Sequence, residues 1–511
     1  PGRFCFNLRA HMRAWSFRSW RRRGPTMSGG GLLSRSFSLL RRRSSSIFAE
    51  GPKRLGNEHS RVLELPFSKG FRRFSRGSRV ITAAGAASAA AVAISSSILY
   101  FSGATSFQNA AEAAAGNEDS DGVYSFGSAQ YNQLGLGDGK NRATPTRVEA
   151  LDVEEVVKIA AGLYASMAVT SDGAVYTWGR GKRMVLGHGD ISETSYPRRV
   201  EGLTDIIVKD VDISENVAVA VSKDGKVYTW GAGEALGREG NGKSPGLVSA
   251  LEGKQVESVS CGPTHMLAVT KQGELYAWGS KYEGALGLGS RERTGDYAGD
   301  ETDLQDDNYY VQTPTLVGTL ADVVDAKCGN SFSLALTKDG KLYSFGAGDY
   351  GQTGLGGGSS SDRYTRTPTQ IKAFGPTQKI VKIDAGLYHS AAITEDGKVF
   401  TWGYGKDGQC GHGDRVVHTP IPQQVRRMSK NQAIEVSCGD GHTAVLCRDG
   451  ELYVFGRGRD GQLGRGDQLE SVASYRTEPL PIEFFTRHNL RVGQVALGGY
   501  HSLVLTNSKR R

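Results

Sequence analysis

The chain reads as an all-β protein, a closed seven-bladed β-propeller preceded by an N-terminal targeting segment and one transmembrane helix. Three observations predict this. An Asp-Gly or similar turn followed by an aromatic-x-aromatic-Gly run recurs seven times, ending at Phe126-Gly127, Trp178-Gly179, Trp230-Gly231, Trp278-Gly279, Phe345-Gly346, Trp402-Gly403 and Phe455-Gly456. The period is near fifty residues across about 390 of 511, and such units cannot bury a core singly and must be stacked. The two ends of the array carry complementary halves of one unit.

The basic charge belongs to the N-terminus. Residues 1–79 hold 19 Lys/Arg and 3 Asp/Glu, a net of +16; residues 80–111 carry none, so 112–511 sum to 9 − 16 = −7. Up to residue 49 there are eleven Arg, no Lys and no acid, interleaved with Ser, Leu and Phe. This composition marks a mitochondrial presequence. A basic tail, as a nuclear signal or nucleic-acid arm, is the alternative that the shortage of Lys disfavours. The first residue is Pro, and Met27 is a candidate start.

Val80 to Gly103 is an uncharged, Ala- and Ser-rich run. As a helix it would extend about 36 Å at ~1.5 Å per residue, enough for a bilayer core; an Ala-rich linker is the alternative. Arg72, Arg73, Arg76 and Arg79 precede it, and Glu112, Glu118, Asp119 and Asp121 follow. The positive-inside tendency then leaves the N-terminus in the matrix and the array in the intermembrane space. The organisation expected is a targeting region at 1–79, a membrane helix at 80–103, a linker at 104–120 and the propeller at 121–507.

Within one repeat, Val156 to Gly162 is apolar and β-branched, Ser166 to Thr170 alternates, and Ser171-Asp172-Gly173 supplies a hairpin turn. Ala174 to Gly179 leaves as a further strand. A Gly-rich return follows, Gln133-Leu134-Gly135 in the first copy and Gln462-Leu463-Gly464 in the last, and then a Pro. Four short strands per unit fit a propeller blade. The first copy, at 121–127, lacks the preceding Gly-x-x-His-Ser strand, and the chain ends on that strand, Gly498 to Thr506. One blade is therefore expected to be built from both termini, which removes exposed sheet edges.

These residues resemble the regulator-of-chromosome-condensation repeat family, with Gly386 to Gly413 a close copy of its pattern. The resemblance covers about 390 residues and implies a seven-bladed propeller. The third copy departs from it, with Ser214-Glu215-Asn216-Val217 in place of Gly-x-x-His and a shortened return at Glu234 to Gly237. The fourth carries an acidic, Tyr-bearing insertion at 291–311, stretching Gly279 to Gly346 to 67 residues against 52 from Gly127 to Gly179.

No nucleophile elbow, P-loop or spaced Cys/His cluster is present in the body, so no catalytic residue, cofactor or metal is expected. His265, His389, His442 and His501 share one repeat position; each is expected to bond within its own blade. Cys261, Cys328 and Cys438 likewise share a position that reads as packing. The candidate partner-binding residues are the basic turns Arg180, Lys182 and Arg183, and Arg457 and Arg459, with Tyr297, Asp300, Tyr309 and Tyr310 of the insertion. The first group suits an acidic partner and the second a basic one. The acidic body excludes broad attraction to nucleic acid.

Address plus fold point to a non-enzymatic, membrane-tethered scaffold at the mitochondrial inner membrane. The resemblance implies respiratory-complex assembly intermediates as partners, those of the cytochrome bc1 complex above all. Guanine-nucleotide exchange on a small GTPase and association with the mitochondrial ribosome or RNA are the alternatives.

Overall fold

The computed structural model describes residues 120–507, apart from 234, 290–308, 357–362, 414–416, 429–431 and 467–474. The targeting region, the 80–103 segment and the linker up to 119 lie outside those residues. Among the described residues, no helix is long and apolar enough to cross a membrane.

Seven four-stranded antiparallel sheets make up the array. Six of them, blades I to VI, use four consecutive strands, as in blade I with Val156–Ala161, Ala165–Thr170, Val175–Gly179 and Thr194–Arg199. The first of these is the inner strand, lining the central channel, and the last is the outer edge. Blade VII is the composite expected from the sequence. Its inner and second strands, Val492–Leu497 and His501–Thr506, come from the C-terminal end, while its third and outer strands, Val123–Gly127 and Arg142–Arg147, come from the N-terminal end. The closure is a continuous ladder running from Val123 opposite Leu505 to Gly127 opposite His501.

The repeat residues have local causes. In the hairpin after the second strand, Gly173 adopts φ +87°, and Thr170 Oγ1 donates to Asp172 and accepts from the Ala174 N–H. Prolines sit in the outer strands, as at Pro145, Pro197, Pro314 and Pro368, because an edge strand has no neighbour to miss the absent N–H. The glycine at or next to the end of each third strand, such as Gly403 at φ +102°, passes so close to the neighbouring backbone that a Cβ would stand 2.5 Å from the Tyr388 carbonyl.

Two departures of the sequence are visible in the fold. The shortened return of blade II leaves an outer strand of two residues, Gly246–Leu247, and Arg238 donates to the Thr229 carbonyl beside it (Nη2 at 2.8 Å). In blade III the insertion ends earlier than expected. Tyr310 and Val311 belong to the outer strand Tyr310–Leu316, with Tyr310 opposite Ser280. The all-β expectation also missed a five-residue helix, Glu483–Arg487, whose Phe485 is buried and meets the Tyr124 ring edge-on at 5.7 Å.

Separate sheets need other bonds to hold them: isolated backbone bonds cross the seams, such as the Gly137 N–H to the Ser195 carbonyl and the Val208 N–H to the Gly173 carbonyl, and side chains add to them. Seven apolar clusters occupy the seven seams between neighbouring blades; that at VII/I joins Leu503 and Leu505 to Ile159, Ala168 and Trp178. The glycine of each return packs on the aromatic residue of the next blade, as Gly135 on Trp178 and, across the last seam, Gly464 on Phe126. The carbonyl two residues before that glycine is a polar hub. Gln352 O accepts from Trp402 Nε1 at 2.9 Å and from Ser390 Oγ at 2.8 Å, both of the next blade.

The shared histidines also act across seams, which corrects the expectation that they bond within a blade. His501 Nε2 lies 2.7 Å from Ser166 Oγ, His265 2.9 Å from Ser333, His389 2.8 Å from Thr443 and His442 3.1 Å from Ser502. Each hydroxyl also contacts a hub carbonyl at 2.7–2.8 Å. Giving its single hydrogen to that carbonyl leaves the imidazole Nε2–H as donor. Burial pulls the histidines down to about 4 at His265 and about 3 at the other three, so they stay neutral.

The seams differ in redundancy. Ala218 stands where Ser390 stands in blade V, so the Val185 carbonyl receives Trp230 Nε1 (2.8 Å) without a hydroxyl partner. Trp230→Phe strands a buried carbonyl and should cost about 2–3 kcal/mol, whereas Trp402→Phe leaves Ser390 in place and should cost about 1 kcal/mol. Urea denaturation of both variants checks the order.

Candidate functional site

Two regions concentrate polar chemistry. The first is the channel, a cavity of about 630 Å³. Its inner strands do not pair with one another, and their side chains bridge the gaps. Lys158 pairs with Asp210 at 2.5 Å, Asp212 accepts the Cys261 N–H at 2.8 Å, Asp384 accepts the Cys438 N–H at 2.6 Å, and Gln494 Oε1 accepts the Ile159 N–H at 3.0 Å. Asp325, with Asp384, Asp212 and Asp210 further off, raises the Lys327 ammonium above its ordinary range. Burial pushes Asp384 up to about 6 and Glu435 up to about 7. The cysteines at the ends of the inner strands are buried free thiols raised by burial. Most of this chemistry binds blade to blade.

The second region is the face carrying the turns from inner to second strand and the loops from third to outer strand. Both leave the same ends of the sheets, so every candidate residue placed by the structure lies there. Arg180, Lys182 and Arg183 follow the third strand of blade I, Arg457 ends that of blade VI and Arg459 follows it, and Tyr309 precedes the outer strand of blade III. Tyr297 and Asp300 lie outside the described residues. Tyr309 packs on Tyr282 at 5.8 Å and on Tyr310 at 5.2 Å, and burial raises its hydroxyl to about 12.

The two basic turns, alike in sequence, differ in state. Arg457 is held by Asp407 of blade V, with Nη2 and Nε at 2.8 and 3.1 Å from Oδ2. Arg180 occupies the same repeat position, but blade VII offers it Tyr131 where blade V offers Asp407. Its guanidinium sits 4.4 Å from the Tyr131 centroid and 5.1 Å from that of Tyr164. Tyr164 in turn stacks on Tyr500 at 5.3 Å, 5° from parallel. Burial, then the bond with Tyr500, raises the Tyr164 hydroxyl to about 12. The sequence reading missed these tyrosines and Asp407; the register of the repeats was the signal, since Tyr131 and Asp407 both stand four residues beyond the third-strand Gly.

The loop of blade I has its own shape. In blades IV to VII the Gln after the turn folds back, as Gln133 Oε1 accepts the Tyr131 N–H and Gln409 Oε1 the Asp407 N–H. Val185 stands in that place, and the loop turns through two left-handed residues, Arg183 at φ +76° and Met184 at φ +60°. Such conformations cost about 1 kcal/mol or more each in non-Gly residues. A pocket of about 70 Å³ opens beside the loop, lined by Tyr164, Arg180, Lys182, Arg183, Ser214 and Glu215.

The RCC1-like domain matches residues 233–510, and the Regulator of chromosome condensation (RCC1) repeat matches 120–169 and 172–221. The chain belongs to the RCC1-like family. Over 366 residues this RCC1-like chain is 32% identical to the ultraviolet-B receptor UVR8 of Arabidopsis thaliana, covering 71% of this chain and 78% of that one. It is 28% identical to the mitochondrial RCC1 domain-containing protein RUG3 of the same plant, over 75% of this chain and 72% of that one. The human E3 ubiquitin-protein ligase HERC2 is 31% identical, but the match spans 8% of its length. Among solved structures, Prp20p of Saccharomyces cerevisiae superposes with a TM-score of 0.65 at 22% identity, over 76% of this chain and 92% of that one, a likeness of fold.

Glu435 provides a test of the channel. A carboxyl raised in the folded state contributes stability that is fully present below its ordinary value near 4.5 and lost as pH rises through about 7. Glu435→Gln should therefore gain stability over the parent, and the gain should grow from pH 5 to pH 8 in chemical denaturation at the two pH values.

Proposed function

We propose that this RCC1-like chain works by binding proteins rather than by catalysis, as a scaffold of the mitochondrion. The observation that carries the reading is the chemically uneven loop face, which gathers Arg180, Lys182 and Arg183, the Arg457 and Arg459 turn and the base of the acidic insertion on one side of a rigid ring. Such a surface suits selective protein recognition, with charge steering encounter and tyrosines supplying contact area. The mitochondrial assignment rests on the Arg-rich, acid-poor N-terminus and on the likeness to RUG3, whose name carries that location.

Within this reading, the uncharged 80–103 segment tethers the chain to the inner membrane with the propeller in the intermembrane space. The partners are assembly intermediates of a respiratory complex, the cytochrome bc1 complex first among them. Small-GTPase exchange is the competing reading, favoured by the length of the insertion in the sequence, whose flanking residues Ser280 and Tyr310 pair at the same face.

Affinity purification of the tagged full chain from detergent-solubilised mitochondria tests the proposal, together with protease treatment of mitoplasts. Recovery of bc1 subunits and digestion of the propeller in mitoplasts is the expected result. Recovery of a GTPase whose nucleotide release the chain accelerates, or of ribosomal proteins with a protected propeller, overturns it.

A further inference from the structure

We propose that the seam between blades VII and I is a binding site for an acidic protein segment, with Arg180 as its anchor and Tyr131, Tyr164 and Tyr500 as its platform. This deepens the scaffold reading by giving the chemistry of one partner.

The inference starts from two arginines at one repeat position. Arg457 meets Asp407, and its charge is matched within the ring. Arg180 meets Tyr131 instead, so the guanidinium is fixed in place by two rings but paired with no carboxylate among the described residues. Stacking orients the planar fork and leaves its edge N–H groups for a carboxylate, the partner that such a fork binds in bidentate fashion. Orientation is settled before any partner arrives, which lowers the entropic cost of binding.

The surroundings select the ligand further. Lys182 and Arg183 are exposed beside Arg180, and the adjoining pocket of about 70 Å³ holds three cationic side chains against one carboxylate, Glu215. Its size suits one carboxylate group rather than a nucleotide. The partly exposed rings of Tyr131, Tyr164 and Tyr500 offer a surface for an aromatic or aliphatic neighbour of the bound acid. A long polyanion is disfavoured, because the body around this patch carries a net charge of −7 and would repel it away from the seam.

The equivalent seam IV/V lacks this property. Tyr350, Tyr388 and Tyr404 occupy the places of Tyr131, Tyr164 and Arg180, with ring centroids 5.0–6.5 Å apart. There the station is aromatic throughout and carries no charge. The site is also divided between the chain ends, since Tyr131 follows the first strand and Tyr500 precedes the last. A segment lying across both rings holds together the N-terminal and C-terminal halves of blade VII, so binding and ring closure favour each other.

Fluorescence anisotropy on the full chain tests this, using a labelled twelve-residue peptide rich in Asp and Glu with one Phe, its Asn/Gln analogue, and a single-stranded oligonucleotide of equal charge. The acidic peptide should bind at least tenfold tighter than either control. R180Q should weaken it tenfold or more, and Y131D should do the same by giving Arg180 the internal partner that Arg457 already has. R487Q, on the helix after the outer strand of blade VI where Arg487 pairs with Glu483, should bind as the parent does, and E215Q should bind more tightly. Melting curves establish that each variant is folded, and R180Q alone suffices if Y131D is not. Unchanged binding by R180Q, equal binding of the Asn/Gln analogue, or tighter binding of the oligonucleotide overturns the proposal. The readout needs only the isolated chain, so such failure leaves the mitochondrial scaffold reading standing, and failure of the purification leaves this site standing.

Discussion

The ring depends on one backbone carbonyl per blade, the one two residues before the glycine of the return. Neighbouring sheets exchange no ladder hydrogen bonds, so each seam rests on isolated backbone bonds, such as the Gly137 N–H to the Ser195 carbonyl, and on side chains whose buried polar atoms are satisfied. The hub carbonyl solves this by accepting from the next blade an indole N–H, a hydroxyl, or both. Where a histidine is present it donates to the same hydroxyl, extending the chain of hydrogen bonds across the seam. The apolar clusters provide the bulk of the attraction, and the hubs fix the angle and register at which each blade meets the next.

Seen this way, the repeat signature is a set of seam parts. The glycine of the return is small because the next aromatic ring lies on it, and a Cβ at Gly354 would stand 2.7 Å from Trp402 Nε1. The shared Ser/Thr position faces the hub. Periodicity made the blade count and the split blade legible, because strand, turn and packing residues recur at fixed spacing. It did not reveal which blade a side chain bonds to, and so the histidines were assigned to the wrong side of their seams. Spacing along the chain carries no information about a neighbour about fifty residues away. The end of the insertion was misplaced for a related reason, since Tyr310 and Val311 look like loop until their pairing with the third strand is seen.

Function, on this account, is written in the substitutions that the shared frame tolerates. Asp407 and Tyr131 serve the same structural station, and the choice between them decides whether the following arginine is neutralised or presented. Val185 in place of the usual Gln frees the loop at 180–184 to take a different path. Neither change disturbs the hub, which is a backbone atom. A rigid ring with interchangeable stations thus separates the requirements of folding from those of recognition, and explains why the candidate residues were found as exceptions to the repeat. The channel works the other way, its acids being engaged in holding inner strands together.

The composite blade is where this account is most exposed, because both chain ends must be seated for the two seams of blade VII to be complete. Native-state hydrogen exchange measures it directly. The amides of Val123–Gly127 and His501–Thr506 should exchange at one common slow rate, matching that of the second and third strands of blades I to VI, and should lose protection together in His501→Ala. Fast, independent exchange of Val123–Gly127 while the other blades stay protected would contradict a ring closed by its two ends.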